Sequence, residues 1–158
     1  MSTQILSIMR ANIHFAGILK CKNPKMVSAV NEVVLPDGQI RLPDDKIHMT
    51  LVHQSLLKPK PIKAAMKDSM GRGMKVPWFD LVLEPVIREG WYRNPNDPSK
   101  DEFRSGLAFL VTPESQERLT SWSRQLLANI GVLPENFEDR TFHVSISNLT
   151  GNPGSSLR

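Results

Sequence analysis

Two triplets in the chain share a pattern, His48-Met49-Thr50 and His143-Val144-Ser145. Histidine, with an unperturbed pKa of about 6.5, can take or give a proton near neutrality. Two histidines flanking one phosphorus suit an in-line displacement at a phosphodiester. One removes the proton from the attacking oxygen, and the other protonates the leaving oxygen on the far side. The hydroxyls of Thr50 and Ser145 can donate to the non-bridging oxygens, which gain charge in the transition state. This chemistry needs neither a metal nor another cofactor. The pattern is short, however. With four histidines in the chain, two chance matches arise on the order of one time in ten.

The phase of the flanking residues adds weight. Residues 46–53 (KIHMTLVH) alternate, with Ile47, Met49 and Leu51 on one side and His48, Thr50 and Val52 on the other. Residues 141–147 alternate in the same way, with Phe142, Val144 and Ile146 opposed to His143, Ser145 and Ser147. On a strand, residues two apart share a face about 6.5–7 Å from each other, so each histidine projects beside its hydroxyl while its apolar neighbours anchor a core. The two histidines are 95 residues apart, which leaves room for one structural half between them.

The elements that must hold these strands follow from apolar periodicity and its breakers. Residues 12–20 read as a buried strand. Asn23-Pro24 opens a helix to about residue 34, because proline suits the first helical position. Pro36-Asp37-Gly38 is a turn. A second helix is expected over 61–70 with Gly71 as its stop, then a strand over 78–87 bent near Pro85, and an exposed loop over 94–100. A strand over 107–112 leads into a helix over 113–130, capped by Thr112 and stopped by Gly131. The order predicts an α+β fold of antiparallel sheets covered by helices, spanning 1–158 as one domain.

Composition narrows the classes. No apolar run is long enough to cross a membrane, and residues 1–10 lack the basic-then-apolar order of a signal peptide, so a cytoplasmic location is expected. Cys21 is the only cysteine, which excludes an intramolecular disulfide and a Cys-x-x-Cys metal knuckle; it reads as an inert small residue. The net charge of +4 tilts toward an anionic partner such as a nucleotide or RNA. No obligatory protein partner is expected.

With its motifs KIHMTLV and TFHVSIS, the chain resembles the 2H phosphoesterase superfamily, the LigT-like phosphodiesterases. The likeness takes in the N-terminal strand–helix lead-in and the helix before the second motif, and so most of the chain. It implies a bilobal fold with a quasi-two-fold axis, in which two antiparallel sheets face a central cleft with helices outside and one motif lies on each side. It also implies catalytic roles for His48, Thr50, His143 and Ser145. The chain departs from the RNA-processing branch in having no arginine close behind either motif; His53 and Asn148 occupy those places. Its compact size and short ending are more similar to the phage-encoded branch, which includes anti-CBASS nucleases that degrade the cyclic oligonucleotide signals of bacterial defence. In a host cell such a protein would act in the cytoplasm.

The resemblance implies cleavage of 3′–5′ linkages in a cyclic di- or oligonucleotide by attack of the adjacent 2′-OH. Two other readings stand beside it: an RNA-end enzyme acting on 2′,3′-cyclic phosphates or 2′–5′ bonds, and a non-catalytic nucleotide- or RNA-binding module. Trp91 and Tyr92, ahead of the polar loop, are candidates to stack on a base, and Asn148 is a candidate substrate contact. Arg93, Lys100 and Arg104 could add phosphate contacts. His14 reads as structural, and His53 falls out of phase with His48. The lysines and arginine over 58–75 read as a solvated helix face.

Overall fold

The first apolar stretch is a hairpin and not one strand. In the computed structural model, which describes residues 4–157, β2 (Asn12–Ala16) reverses at Gly17 into β3 (Ile18–Lys22). Gly17 has φ 82°, a left-handed conformation that costs glycine little because it has no Cβ. A short strand, β1 (Ile5–Ile8), precedes the hairpin. Helix α1 (Pro24–Asn31) follows, its first turn satisfied by the Asn23 side chain, which accepts from the Lys25 amide. It stops short of residue 34 because Leu35 precedes a proline, which disfavours helical backbone.

The first motif strand is also shorter than its alternation. Two residues of β4 (Ile40–Arg41) lead to a single 3₁₀ turn over Asp44–Lys46, so β5 runs only over Met49–Val52. Helices α2 (Gln54–Leu57) and α3 (Lys60–Gly71) come next. Gly71 lies inside α3, and the left-handed terminator is Gly73, φ 87°. The strand expected over 78–87 is two strands, β6 (Phe79–Val82) and β7 (Val86–Tyr92). Pro85 has no N–H for a ladder, and the strands on either side of it join different sheets. β8 (Glu102–Leu110) feeds α4 (Pro113–Asn129), where the Thr112 side chain accepts from the Ser115 amide and Gly131 (φ 97°) follows the end. The second motif forms β9 (His143–Ser145), then β10 (Ser147–Asn148).

The fold is α+β and its ladders are antiparallel. Six strands join in the order β2-β3-β5-β9-β8-β7, while β1 pairs with β6 and β4 with β10. The family resemblance implies two facing sheets with one motif on each side of a cleft. Instead β5 and β9 are neighbours in one sheet, paired at Met49↔Val144. The order is palindromic by role. Each half of the chain supplies a lone strand (β1 or β6), a hairpin (β2-β3 or β7-β8), a helix (α1 or α4) and a motif strand (β5 or β9). The two lone strands pair with each other, as do the two motif strands.

Burial explains the strand phase. Met49, Leu51, Val144 and Ile146 are within 1% of full burial and share one core with Leu19, Phe109, Met26 of α1 and Leu119 of α4. Each such side chain contributes roughly 1.5–3 kcal/mol by leaving water. Slipping either motif strand by one residue would expose this set and bury the histidines, so the core holds the imidazoles on the opposite face.

Candidate active site

The pairing Met49↔Val144 places Thr50 across from His143 and His48 across from Ser145. The four side chains form a square in which each imidazole faces a hydroxyl, with the two imidazoles on a diagonal of roughly 7–8 Å. All four line one cleft of about 600 Å³.

Both rings are tied in the same way. Nδ1 of His48 lies 2.7 Å from the Lys46 carbonyl, and Nδ1 of His143 lies 2.8 Å from the Thr141 carbonyl. A carbonyl only accepts, so each Nδ1 carries the hydrogen and in the neutral ring each Nε2 presents its lone pair. In both cases the acceptor is the residue two before the histidine.

His143 is buried, 7% exposed, while His48, Thr50 and Ser145 are half-buried. Burial disfavours a charged ring and pushes His143 down to about 4; the bond to Thr141 opposes this, and the Arg88 and Arg140 cations add to it. His48 is also lowered, first by burial, against its bond to Lys46, and further by Lys20, Lys22 and Arg140.

The cleft is strongly cationic. Its lining carries Lys20, Lys46, Arg104 and Arg140 beside His48, His53 and His143, and among the described residues it includes no carboxylate. The Lys20 ammonium is held below its ordinary range by burial and by Lys22 and Lys46. Crowding like charges costs free energy that an anion would offset. Among the described residues no three His, Cys, Asp or Glu side chains cluster to hold a metal ion.

Of the expected substrate contacts, Tyr92 and Arg104 reach the cleft, the Arg104 guanidinium 4.3 Å from the Tyr92 ring centroid. Trp91 cannot follow, because neighbours on a strand face opposite ways. It stands 57% exposed on the other face, packed on Phe103 with Arg93 5.0 Å from its ring. Asn148 is fully buried and is committed to the C-terminal segment. Its amide donates to the Asn152 carbonyl (2.6 Å) and the Ser156 hydroxyl (3.0 Å), and its oxygen accepts from the amides of Thr150 and Gly151. So anchored, residues 152–157 form one wall of the cleft, and the Ser156 carbonyl accepts from Arg104 at 3.1 Å.

Other residues fall outside their expected phase or distance. β5 ends at Val52, so strand phase does not govern His53; it caps α2 and lines the cleft. His14 is exposed on β2 across from Lys20. The basic side chains over 58–75 are exposed and do not line the cleft. The motifs alone do not point to Lys20, Lys46, Arg88 or Arg140. Lys46 and Arg140 had a local signal, two and three residues ahead of the histidines. Lys20 and Arg88 approach the site only through strand pairing.

No family model, curated protein or solved structure matches the chain. No helix among the described residues is long and apolar enough to cross a membrane.

Proposed function

We propose that this protein is a phosphodiesterase of the 2H type, cleaving a 3′–5′ phosphodiester through acid–base catalysis by His48 and His143 without a metal. The observation that carries the reading is the square of two imidazoles and two hydroxyls, with both rings tied at Nδ1 so that proton transfer falls to the Nε2 side. Thr50 and Ser145 would donate to the non-bridging oxygens, and the cationic lining would hold the rest of a polyanion. In this reading the two halves of the palindromic sheet serve as the two quasi-symmetric lobes, and the whole of 1–158 works as one domain.

The substrate reading is a cyclic di- or oligonucleotide, as in the anti-CBASS branch. A bounded cleft of about 600 Å³ with a wall at residues 152–157 suits a small nucleotide better than a long RNA groove would, since small-molecule sites hold roughly 300–1,000 Å³. Tyr92 is the aromatic placed to stack on a base.

The experiment is incubation with cyclic dinucleotides and trinucleotides, 2′–5′ oligoadenylate and cyclic-phosphate-ended RNA, all in EDTA. Cleavage of at least one is expected, with loss of roughly 10²–10⁴-fold in His48→Ala and in His143→Ala. Cleavage of RNA ends alone would move the substrate to the RNA-processing reading. Binding without turnover, unchanged by His48→Ala, would make the protein a binding module. Activity that survives both substitutions, or that needs a metal, overturns the mechanism.

A further inference from the structure

The two histidines are tied alike at Nδ1, so what differs between them lies at Nε2. Nη1 of Arg88 is 2.9 Å from Nε2 of His143. A guanidinium only donates, so Nε2 of His143 presents its lone pair to Arg88; the Leu157 backbone favours the charged ring, but less than the Arg88 cation opposes it. Among the described residues the hydrogen-bond partner of His48 is the Lys46 carbonyl at Nδ1, and the ring lines the cleft.

Arg88 reaches His143 because of what lies between them. β8 separates β7 from β9, with Arg88 across from Gly106 and Ala108 across from Ser145. These two small residues share the cleft face, so the guanidinium can lie over them. A Cβ on Gly106 would run into the Ser147 carbonyl oxygen, so this position is held to glycine by the β10 backbone as well. In the other half the corresponding register position is Ala16, across from Ile18, and no guanidinium comes from there. The palindrome is therefore broken beside both histidines: Arg88 reaches over Gly106 and Ala108 to His143, whereas in the other half Lys20 takes the place of Ala108, across from Thr50.

We infer that His143 is the general base and His48 the general acid, with Arg88 as the positioning residue that assigns these roles. The inference rests on the phosphodiesterase reading above. On binding, a non-bridging oxygen takes over donation from Arg88, because a charge-assisted bond to phosphate is stronger than one to a neutral ring. The freed lone pair on His143 Nε2 accepts the proton of the 2′-OH. The 2′-oxygen bonds to phosphorus, the bond from phosphorus to the 5′-oxygen breaks, and that oxygen takes the Nε2 proton of His48, which enters the step as the imidazolium beside the bound phosphodiester. The products are a 2′,3′-cyclic phosphate and a 5′-hydroxyl, with His143 charged and His48 neutral. If water then opens the cyclic phosphate, the roles reverse.

The charges facing each ring are consistent with this division. Arg88 comes from β7 and Arg140 from the segment before β9; β8 sets Leu110 and Ala108 beside His143 and Ser145, with Gly106 and the Arg104 cation farther along the same face, and the C-terminal wall offers the Leu157 backbone. His48 meets Lys20 and Lys22 of β3 and Arg140, whose charge a bound phosphodiester offsets.

A leaving group that departs without a proton separates the roles. Uridine 3′-(4-nitrophenyl phosphate) is compared with a uridylyl-uridine dinucleotide, in wild type, His48→Ala and His143→Ala. His48→Ala is expected to lose roughly 10²–10⁴-fold on the dinucleotide and about tenfold or less on the nitrophenyl ester, whereas His143→Ala loses roughly 10²–10⁴-fold on both. The opposite pattern, or equal losses throughout, overturns the assignment and leaves the phosphodiesterase reading standing. Failure of wild type on both esters and on the nucleotide panel, or full activity of both variants on the dinucleotide, overturns that reading and the inference with it. For Arg88, the pH profile of kcat/KM and the NMR titration of the His143 ring are followed in Arg88→Gln and Arg88→Lys. The acidic limb and the His143 titration should move to higher pH in Arg88→Gln and less in Arg88→Lys. Unmoved curves overturn the part given to Arg88.

Discussion

The burial of His143 makes a stability prediction that needs no substrate. Unfolded, its ring titrates near 6.5; folded, near 4. Between these values the unfolded chain binds a proton that the folded chain refuses, so acidification favours unfolding. The folded value is the depressed one, so the contribution is fully present above about pH 6.5 and is lost as the pH falls toward 4. Each pH unit in that window costs about 1.4 kcal/mol, so about 2 kcal/mol is gone near pH 5. His48 shifts in the same direction, and a comparison must hold it constant. Urea unfolding of wild type and His143→Gln near pH 7.5 and near pH 5 does so, because His48 and every carboxylate are common to both. Wild type should lose about 2 kcal/mol more than the variant over this interval, whatever their difference at pH 7.5. Parallel losses would refute the claim that the folded protein keeps His143 neutral, and would remove the physical basis for a base at that position.

Three further outcomes follow from the geometry. Thr50→Val and Ser145→Ala should each lower kcat by roughly 10²–10³-fold with KM little changed, measured on whichever nucleotide the panel identifies, because a donor to a transition-state oxygen is lost. Gly106→Ala should destabilise by roughly 1–3 kcal/mol in urea unfolding, since the Cβ meets the Ser147 carbonyl and backbone must shift; an unchanged midpoint would show that β10 yields. Cys21 is fully buried and its thiol is pushed up to about 12 by burial, so Ellman's reagent should leave it untouched in native protein and titrate one thiol in denaturant.

Local signals in the sequence carried the elements they bound. Thr112 and Gly131 frame α4 because a cap and a terminator act within a few residues. The alternation about His48 and His143 placed both rings on the polar face because the apolar set beside them had one place to go. Non-local signals did not show. Nothing in residues 12–20 distinguishes one strand from a hairpin except Gly17, and Pro85 was read as a bend where it separates two sheets. β4 and β10 are two residues each, too short for periodicity. In the site, Lys20 and Arg88 approach the histidines only through hydrogen-bonded strands, at sequence distances where no spacing rule operates. Asn148 looked like a polar residue beside a motif; its burial depends on a C-terminal segment that folds back over it. Trp91 and Tyr92 are neighbours on β7, and the pleat sends them to opposite faces.

The pairing of β5 with β9 has a consequence in time. The square of imidazoles and hydroxyls lies on the seam between the two halves, and half of it comes from each. A chain growing from the ribosome makes His48 and Thr50 early, but they gain partners only after about 95 more residues have followed. Such distant pairings form late and slowly, because a long loop must close before any contact rewards it. Neither an unfinished chain nor a proteolytic half holds the site, so hydrolytic competence would arrive with the last strand of the sheet and leave with the first break at its centre.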